Sequence, residues 1–237
     1  IYVILLVLLY SCNLGDLQEN SGPLSGSYYI NQAWEYFQAR NYDSAQEFFA
    51  APLDDEGSNA YDKSAYTGLG WTMLYKSNID LSSTNKSLRE LQRDSSSLFF
   101  NMAANIESLD EASDATSSEL ITDSIHSVLL SAGLVFDNSY KSFKWQDKYF
   151  GQGLDPTYWD SVIFYSNKVI DIADSLPEEF YFIYDSTLTF EEFYFLKAQT
   201  YLRLGDIPNA LLELSKIPNY SGCTEEDIYD CISTIGN

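Results

Sequence analysis

Histidine occurs once in this 237-residue chain, as His126, and cysteine three times. A lone imidazole with no second histidine and no free thiol beside it lacks the partners that general-base or metal chemistry needs. No zinc spacing, phosphate-cradling glycine loop or nucleophile elbow occurs either. His126, in "DSIHSVLL", therefore reads as a surface or half-buried helix residue. The acidic stretch "LDDEGSN" lacks the alternate-oxygen spacing and closing glutamate of a calcium loop, and reads as a solvated turn. From these absences the expectation is no catalytic residue, no metal, no cofactor and no enzyme.

Basic residues are scarce too: 13 Lys and Arg stand against 35 Asp and Glu, a net charge of -22. That field repels a phosphate backbone, so nucleic acid is not an expected partner. It equally opposes general adhesion to anionic lipid. Acidity of this degree with few aromatics would read as disorder, but 19 Tyr, 14 Phe and 4 Trp supply ample apolar surface for a core. Strand signals are scarce. Apolar positions recur instead at three and four residues in "YYINQAWEYF", "LFFNMAANI", "YWDSVIFYSNKVIDIA" and "FEEFYFLKAQTYLRL". Breaks fall at "LDDEGSN", "SNIDLSSTN", "LDEASDATSS", "GQGLDPT" and "SLPEEF". This pattern predicts an all-α protein.

The opening "IYVILLVLLYSC" is solidly apolar from Ile1 to Leu9, well short of the roughly 20 residues a spanning helix needs. It has no polar face, so it reads as the apolar region of a secretory signal, with the Met and basic leader missing from its start. "LYSC" resembles the lipobox of bacterial lipoproteins, with Leu9 and Ser11 fitting and Tyr10 bulkier than usual. The resemblance implies that residues 1–11 are cleaved and that Cys12 is lipidated and becomes the new N-terminus. Residues 12–27, rich in Gly, Ser and Asn, then form a flexible tether. Because Asn13 rather than Asp follows the cysteine, the expected location is the bacterial envelope at the outer membrane.

Two stretches superpose: "YINQAWEYFQARNYDSAQEFF" and "YFLKAQTYLRLGDIPNALLEL". In the second, Tyr194, Ala198, Tyr201, Gly205, Asp206, Ile207, Ala210 and Leu214 have the spacing, and in the first Tyr29, Ala33, Tyr36, Asn41, Tyr42, Ala45 and Phe49 occupy the same offsets except that of Gly205. Small residues let paired helices approach, aromatics fill the gaps, and Gly205 supplies the turn before Pro208. The spacing resembles a tetratricopeptide repeat. Weaker copies involve Tyr66, Gly70, Met73, Asn78 and Ile79, with Ser82 at the second small position, and Leu129, Gly133 and Phe136. Arg40 at the usual turn glycine and Lys197 at a usual leucine depart from the pattern. The resemblance implies antiparallel helix hairpins stacked as a right-handed α-solenoid over residues 28–220, with 221–237 a tail or cap. It implies a non-catalytic scaffold holding a protein or peptide partner in a concave groove. Two further readings share the lipobox and repeats: a subunit of the outer-membrane β-barrel assembly complex, and a glycan-binding lipoprotein of a nutrient-uptake system.

Two local features remain. In "SYKSFKWQDKYFG", Lys141, Lys144 and Lys148 fall on one helical face, interleaved with aromatics including Trp145, and could dock an acidic or aromatic segment. The plainer reading, which is favoured, pairs those lysines with neighbouring carboxylates. Cys223 and Cys231, in "CTEEDIYDC", are close enough in sequence for a local disulfide. On one unbroken helix they would lie about 12 Å apart, so a bridge requires an intervening turn. Both the bridged and the reduced state stay open at this level.

Overall fold

The computed structural model describes residues 25–54, 59–79, 86–106, 117–148, 156–176, 181–182, 184–185 and 188–235, and the side chains of all of these except 54, 59–60, 79, 86, 117–123, 143–148, 156 and 234–235. Every regular element among them is helical. The signal segment, Cys12 and most of the tether lie outside the described residues. Among those described, no helix is long and apolar enough to cross a membrane.

Among the described residues nine α-helices follow in order: α1 (Gly26–Gln38), α2 (Tyr42–Ala50), α3 (Asn59–Ile79), α4 (Lys86–Ala104), α5 (Ser117–Lys148), α6 (Pro156–Ser175), α7 (Phe190–Arg203), α8 (Ile207–Leu214) and α9 (Ile228–Ile235). Sequence neighbours pair: α1 with α2, α3 with α4, α5 with α6, and α7 with α8. The first helices of successive pairs also touch, α1 with α3 and α3 with α5. The helix α1 begins at Gly26, inside the stretch read as tether, because the Ser25 hydroxyl accepts from the Tyr28 amide as an N-cap.

The first and last hairpins share one turn, bond for bond. In α1–α2, the Asn41 amide donates to Tyr36 O at 2.9 Å and the Arg40 amide to Phe37 O at 2.9 Å. In α7–α8, the Asp206 amide donates to Tyr201 O at 2.8 Å and the Gly205 amide to Leu202 O at 3.1 Å. This is the Schellman arrangement, which needs one left-handed residue: Gly205 at φ 78° and Arg40 at φ 59°. Arg40 thus departs from the glycine pattern without changing the turn. Asn41 and Asp206 then cap the following helices, accepting from the Ser44 and Asn209 amides.

The small residues pack as their spacing suggested. Ala33, Ala45, Ala198 and Ala210 are fully buried. Gly70 on α3 and Gly133 on α5 both face the buried Phe100 ring of α4, so that one ring wedges three helices together. Ser82 lies outside the described residues; the α4 positions that pack here are Ser96, Phe100 and Ala103. The hairpins are unequal: α5 alone runs for 32 residues, against 13 in α1 and 9 in α2. Residues 128–135 of α5 are buried on every side, as expected of a helix enclosed by α3, α4 and α6.

The main core spans α1 to α6 and takes in Phe182, Leu188 and Phe193. A second, smaller core joins Ala198, Ala210, Leu214, Ile217 and Ile228. Residues 221–237, read as a tail or cap, thus contribute α9 to the last hairpin through the buried Ile228. Cys223 and Cys231 are joined by a disulfide with a Cα–Cα distance of 6.4 Å. Cys223 precedes α9, so the required turn is residues 224–227.

Candidate partner-binding face

The first helices of the hairpins turn aromatic rings towards one another. Trp34 packs edge-on to Phe37, Phe37 on Tyr75, Trp71 on Phe136, and Phe136 against Phe193, with ring centroids 5.1–5.9 Å apart. The α6–α7 connection closes this circuit. Phe182 stacks on Phe193 at 5.6 Å, and Tyr184 lies flat on Trp34 at 4.1 Å with planes 7° apart. Burial pushes the Tyr184 phenol above its ordinary pKa. Trp71 is fixed by its indole N–H, which donates to Leu129 O at 2.9 Å.

Beside the closed part of this circuit a cleft of about 160 Å³ stays open. Trp71, Leu74, Tyr75 and Asn78 of α3, Phe136 of α5, Asp185 and Leu188 of the connection, and Glu192 of α7 line it. The run "TFEE" at the start of α7 has the Thr-x-x-Glu spacing of a capping box. That box does not form: Thr189 makes no side-chain cap bond, and the Glu192 side chain lines the cleft. Its carboxyl is pushed up to about 7, first by desolvation and then by the charges of Asp185 and Glu191.

A larger cavity of about 530 Å³ lies between α3, the end of α4, α5 and α6, with Lys63, Lys168, Ser127 and Ser131 in its wall. Lys63 Nζ donates to Ser127 Oγ at 3.1 Å there. Nearby, His126 Nδ1 lies 2.7 Å from Ser64 Oγ. The two residues are 62 positions apart, so no local motif announces the pair. Ser64 is buried, and neither residue is among those lining the cavity. His126 is half-buried on α5, as its sequence context suggested.

The lysine face is only partly within view. Lys141 Nζ donates to Asp137 Oδ2 at 2.7 Å and to Ser97 Oγ at 2.6 Å, tying α5 to α4. Its charge is therefore spent inside the molecule, the plainer of the two expectations. The side chains of Lys144, Trp145 and Lys148 lie outside the described residues. Lys197 is buried against Glu213, Nζ to Oε1 2.8 Å. Lys216 reaches the other oxygen, Oε2, also at 2.8 Å. The α7–α8 hairpin thus holds a buried Lys197–Glu213 ion pair, joined from the surface by the partly exposed Lys216. Among the described residues no group of His, Cys, Asp and Glu is arranged to hold a metal ion.

No protein-family model matches the chain, and no curated protein or solved structure does either.

Proposed function

We propose that this protein is a non-catalytic scaffold of the bacterial envelope, lipidated at Cys12 and placed at the outer membrane. Its hairpins, resembling tetratricopeptide repeats wound as a right-handed solenoid, hold a segment of a protein partner at the open cleft between α3, α5 and the α6–α7 connection. The observation that carries this reading is the open cleft between α3, α5 and the α6–α7 connection, aromatic on its walls and acidic at its rim. The matching turns at 36–41 and 201–206 support the repeat comparison, because two distant segments use the same capping logic. The glycan alternative draws less support. Among the described residues Trp34, Trp71 and Trp159 are 2%, 5% and 2% exposed, so none of these three offers a face for a sugar ring, and the exposed Tyr181 and Tyr229 lie outside the cleft.

A photo-crosslinking residue placed at Asn78, exposed at the cleft, tests this in intact cells. The same residue placed at Leu91, 62% exposed on α4, is the control. A discrete partner adduct from position 78 and none from 91 is expected. Adducts from 91 alone would refute the groove reading. Cys12→Ser should release the protein from the membrane fraction; unchanged fractionation would refute the anchor.

A further inference from the structure

The cleft beside Glu192 has aromatic walls, carboxylates at its rim and no lysine or arginine among the described residues that line it. Resting on the scaffold reading, we infer that this cleft receives an arginine side chain from a basic segment of the partner. Glu192 and Asp185 would take its charge, and the rings of Tyr75 and Phe136 its guanidinium plane.

Size decides first. A volume of about 160 Å³ is well below the roughly 300–1,000 Å³ of pockets that enclose a drug-sized ligand, and suits one long side chain. The walls decide the chemistry. Tyr75 and Phe136 are half-buried and pinned, with Trp71 between them at 6.1 Å and 5.9 Å. A pinned aromatic face attracts a cation through its quadrupole, and a planar guanidinium can stack there while its N–H groups reach a carboxylate. A lysine ammonium is more strongly hydrated and lacks the fork geometry, so arginine is the better fit.

Electrostatics decides the sign. Glu192 is faced by Asp185 from the connection, Glu191 from its own helix and the neutral Tyr75 and Asn78 from α3, while α5 offers only Phe136. Desolvation first, and then the charges of Asp185 and Glu191, raise the Glu192 pKa to about 7, despite the opposing pull of the α7 N-terminus. Arg93 touches Asn78 at 3.2 Å, but its guanidinium lies 3.9 Å over the Tyr140 ring and it does not line the cleft. An acidic segment would be repelled here. A basic one would also be steered in by the net charge of -22.

The test uses the full chain and a capped Gly/Ser peptide carrying three arginines, with citrulline and lysine counterparts, followed by calorimetry at physiological salt. Wild type should bind the arginine peptide at least about tenfold more tightly than the citrulline peptide, and more tightly than the lysine peptide. Glu192→Gln should lose about tenfold for arginine, and Asp185→Asn with Glu192→Gln more. Asp230→Asn, at an exposed position of α9, should change nothing. Affinity should also strengthen as pH rises towards and through about 7, because a guanidinium binds the ionised Glu192. Glu192→Gln should remove that dependence. Equal binding of arginine and citrulline peptides, or equal losses in Glu192→Gln and Asp230→Asn, would overturn the inference. If the double variant fails to fold, Glu192→Gln alone decides. A position-78 adduct with no arginine selectivity would sink this inference and leave the scaffold reading intact; arginine selectivity without an adduct would do the reverse.

Discussion

Replacing Arg40 by glycine should stabilise the protein, and replacing Gly205 by alanine should destabilise it, although both positions close the same turn. At φ 59° Arg40 has a side chain in the left-handed region, where an L-residue other than glycine, asparagine or aspartate costs about 1–2 kcal/mol. Glycine removes that strain but adds about 0.5–1 kcal/mol of unfolded-state freedom. The net expected gain for Arg40→Gly is about 0.5–1 kcal/mol. For Gly205→Ala the balance reverses, a loss of about 1 kcal/mol, and a Cβ there meets nothing within 4 Å. The loss is therefore pure backbone strain with no steric part. Urea denaturation provides the assay, with shifted midpoints and unchanged slopes; thermally, each kcal/mol corresponds to about 2–4 °C for a chain of this size. Arg40→Ala keeps the left-handed strain while deleting the guanidinium, so it should show no comparable gain. The two changes lie in different hairpins and should add to within about 0.5 kcal/mol. If Arg40→Ala stabilises as much as Arg40→Gly, the side chain rather than the backbone was at fault, and the shared-turn argument fails.

Lys197→Met should cost about 3 kcal/mol by denaturation, because Glu213 stays buried with only Lys216 to balance it. Lys197→Leu combined with Glu213→Leu should fall within about 1 kcal/mol of wild type, since an apolar pair of similar volume can replace a buried ion pair. A double variant as damaged as the single would refute that. Gly133→Ala should lose about 1–3 kcal/mol, because the new methyl would overlap the Phe100 ring. Gly222→Ala, with open space around its Cβ, should be near neutral in the same denaturation series. The raised Glu192 pKa predicts a pH effect of fixed sign. Its folded value of about 7 lies above the ordinary 4.5, so the ionised form disfavours the folded state. Wild-type stability relative to Glu192→Gln should fall as pH rises from 4.5 through about 7 and level off beyond. Denaturation midpoints measured across that range check it, and parallel curves for the two proteins would refute it.

Local physics made much of this protein legible from its sequence. The three- and four-residue spacing of apolar positions, and the Asn- and Asp-rich breaks between them, determined where helices run, because helix periodicity and capping act over a few residues. The spacing of Ala33 and Ala45, and of Ala198 and Ala210, likewise announced close helix contacts before any coordinate. The 32-residue α5 was less legible, since its buried middle lacks the polar face that marks an amphipathic helix.

What faces what across the chain was decided only in three dimensions. Trp34 and Tyr184 stack although 150 positions separate them in sequence, and Lys197 meets Glu213 across the α7–α8 turn. Lys141 pairs with Asp137 one turn back on its own helix, as the favoured reading had it, but its second bond, to Ser97, exists only because α4 packs beside α5. Glu192 has the spacing of a helix cap, yet its side chain lines a cleft formed by α3, α5 and the preceding connection. The reason is one of range. Backbone preference and periodicity are set by the nearest few residues, whereas desolvation, ring stacking and ion pairing depend on which surfaces the folded chain brings within a few ångströms.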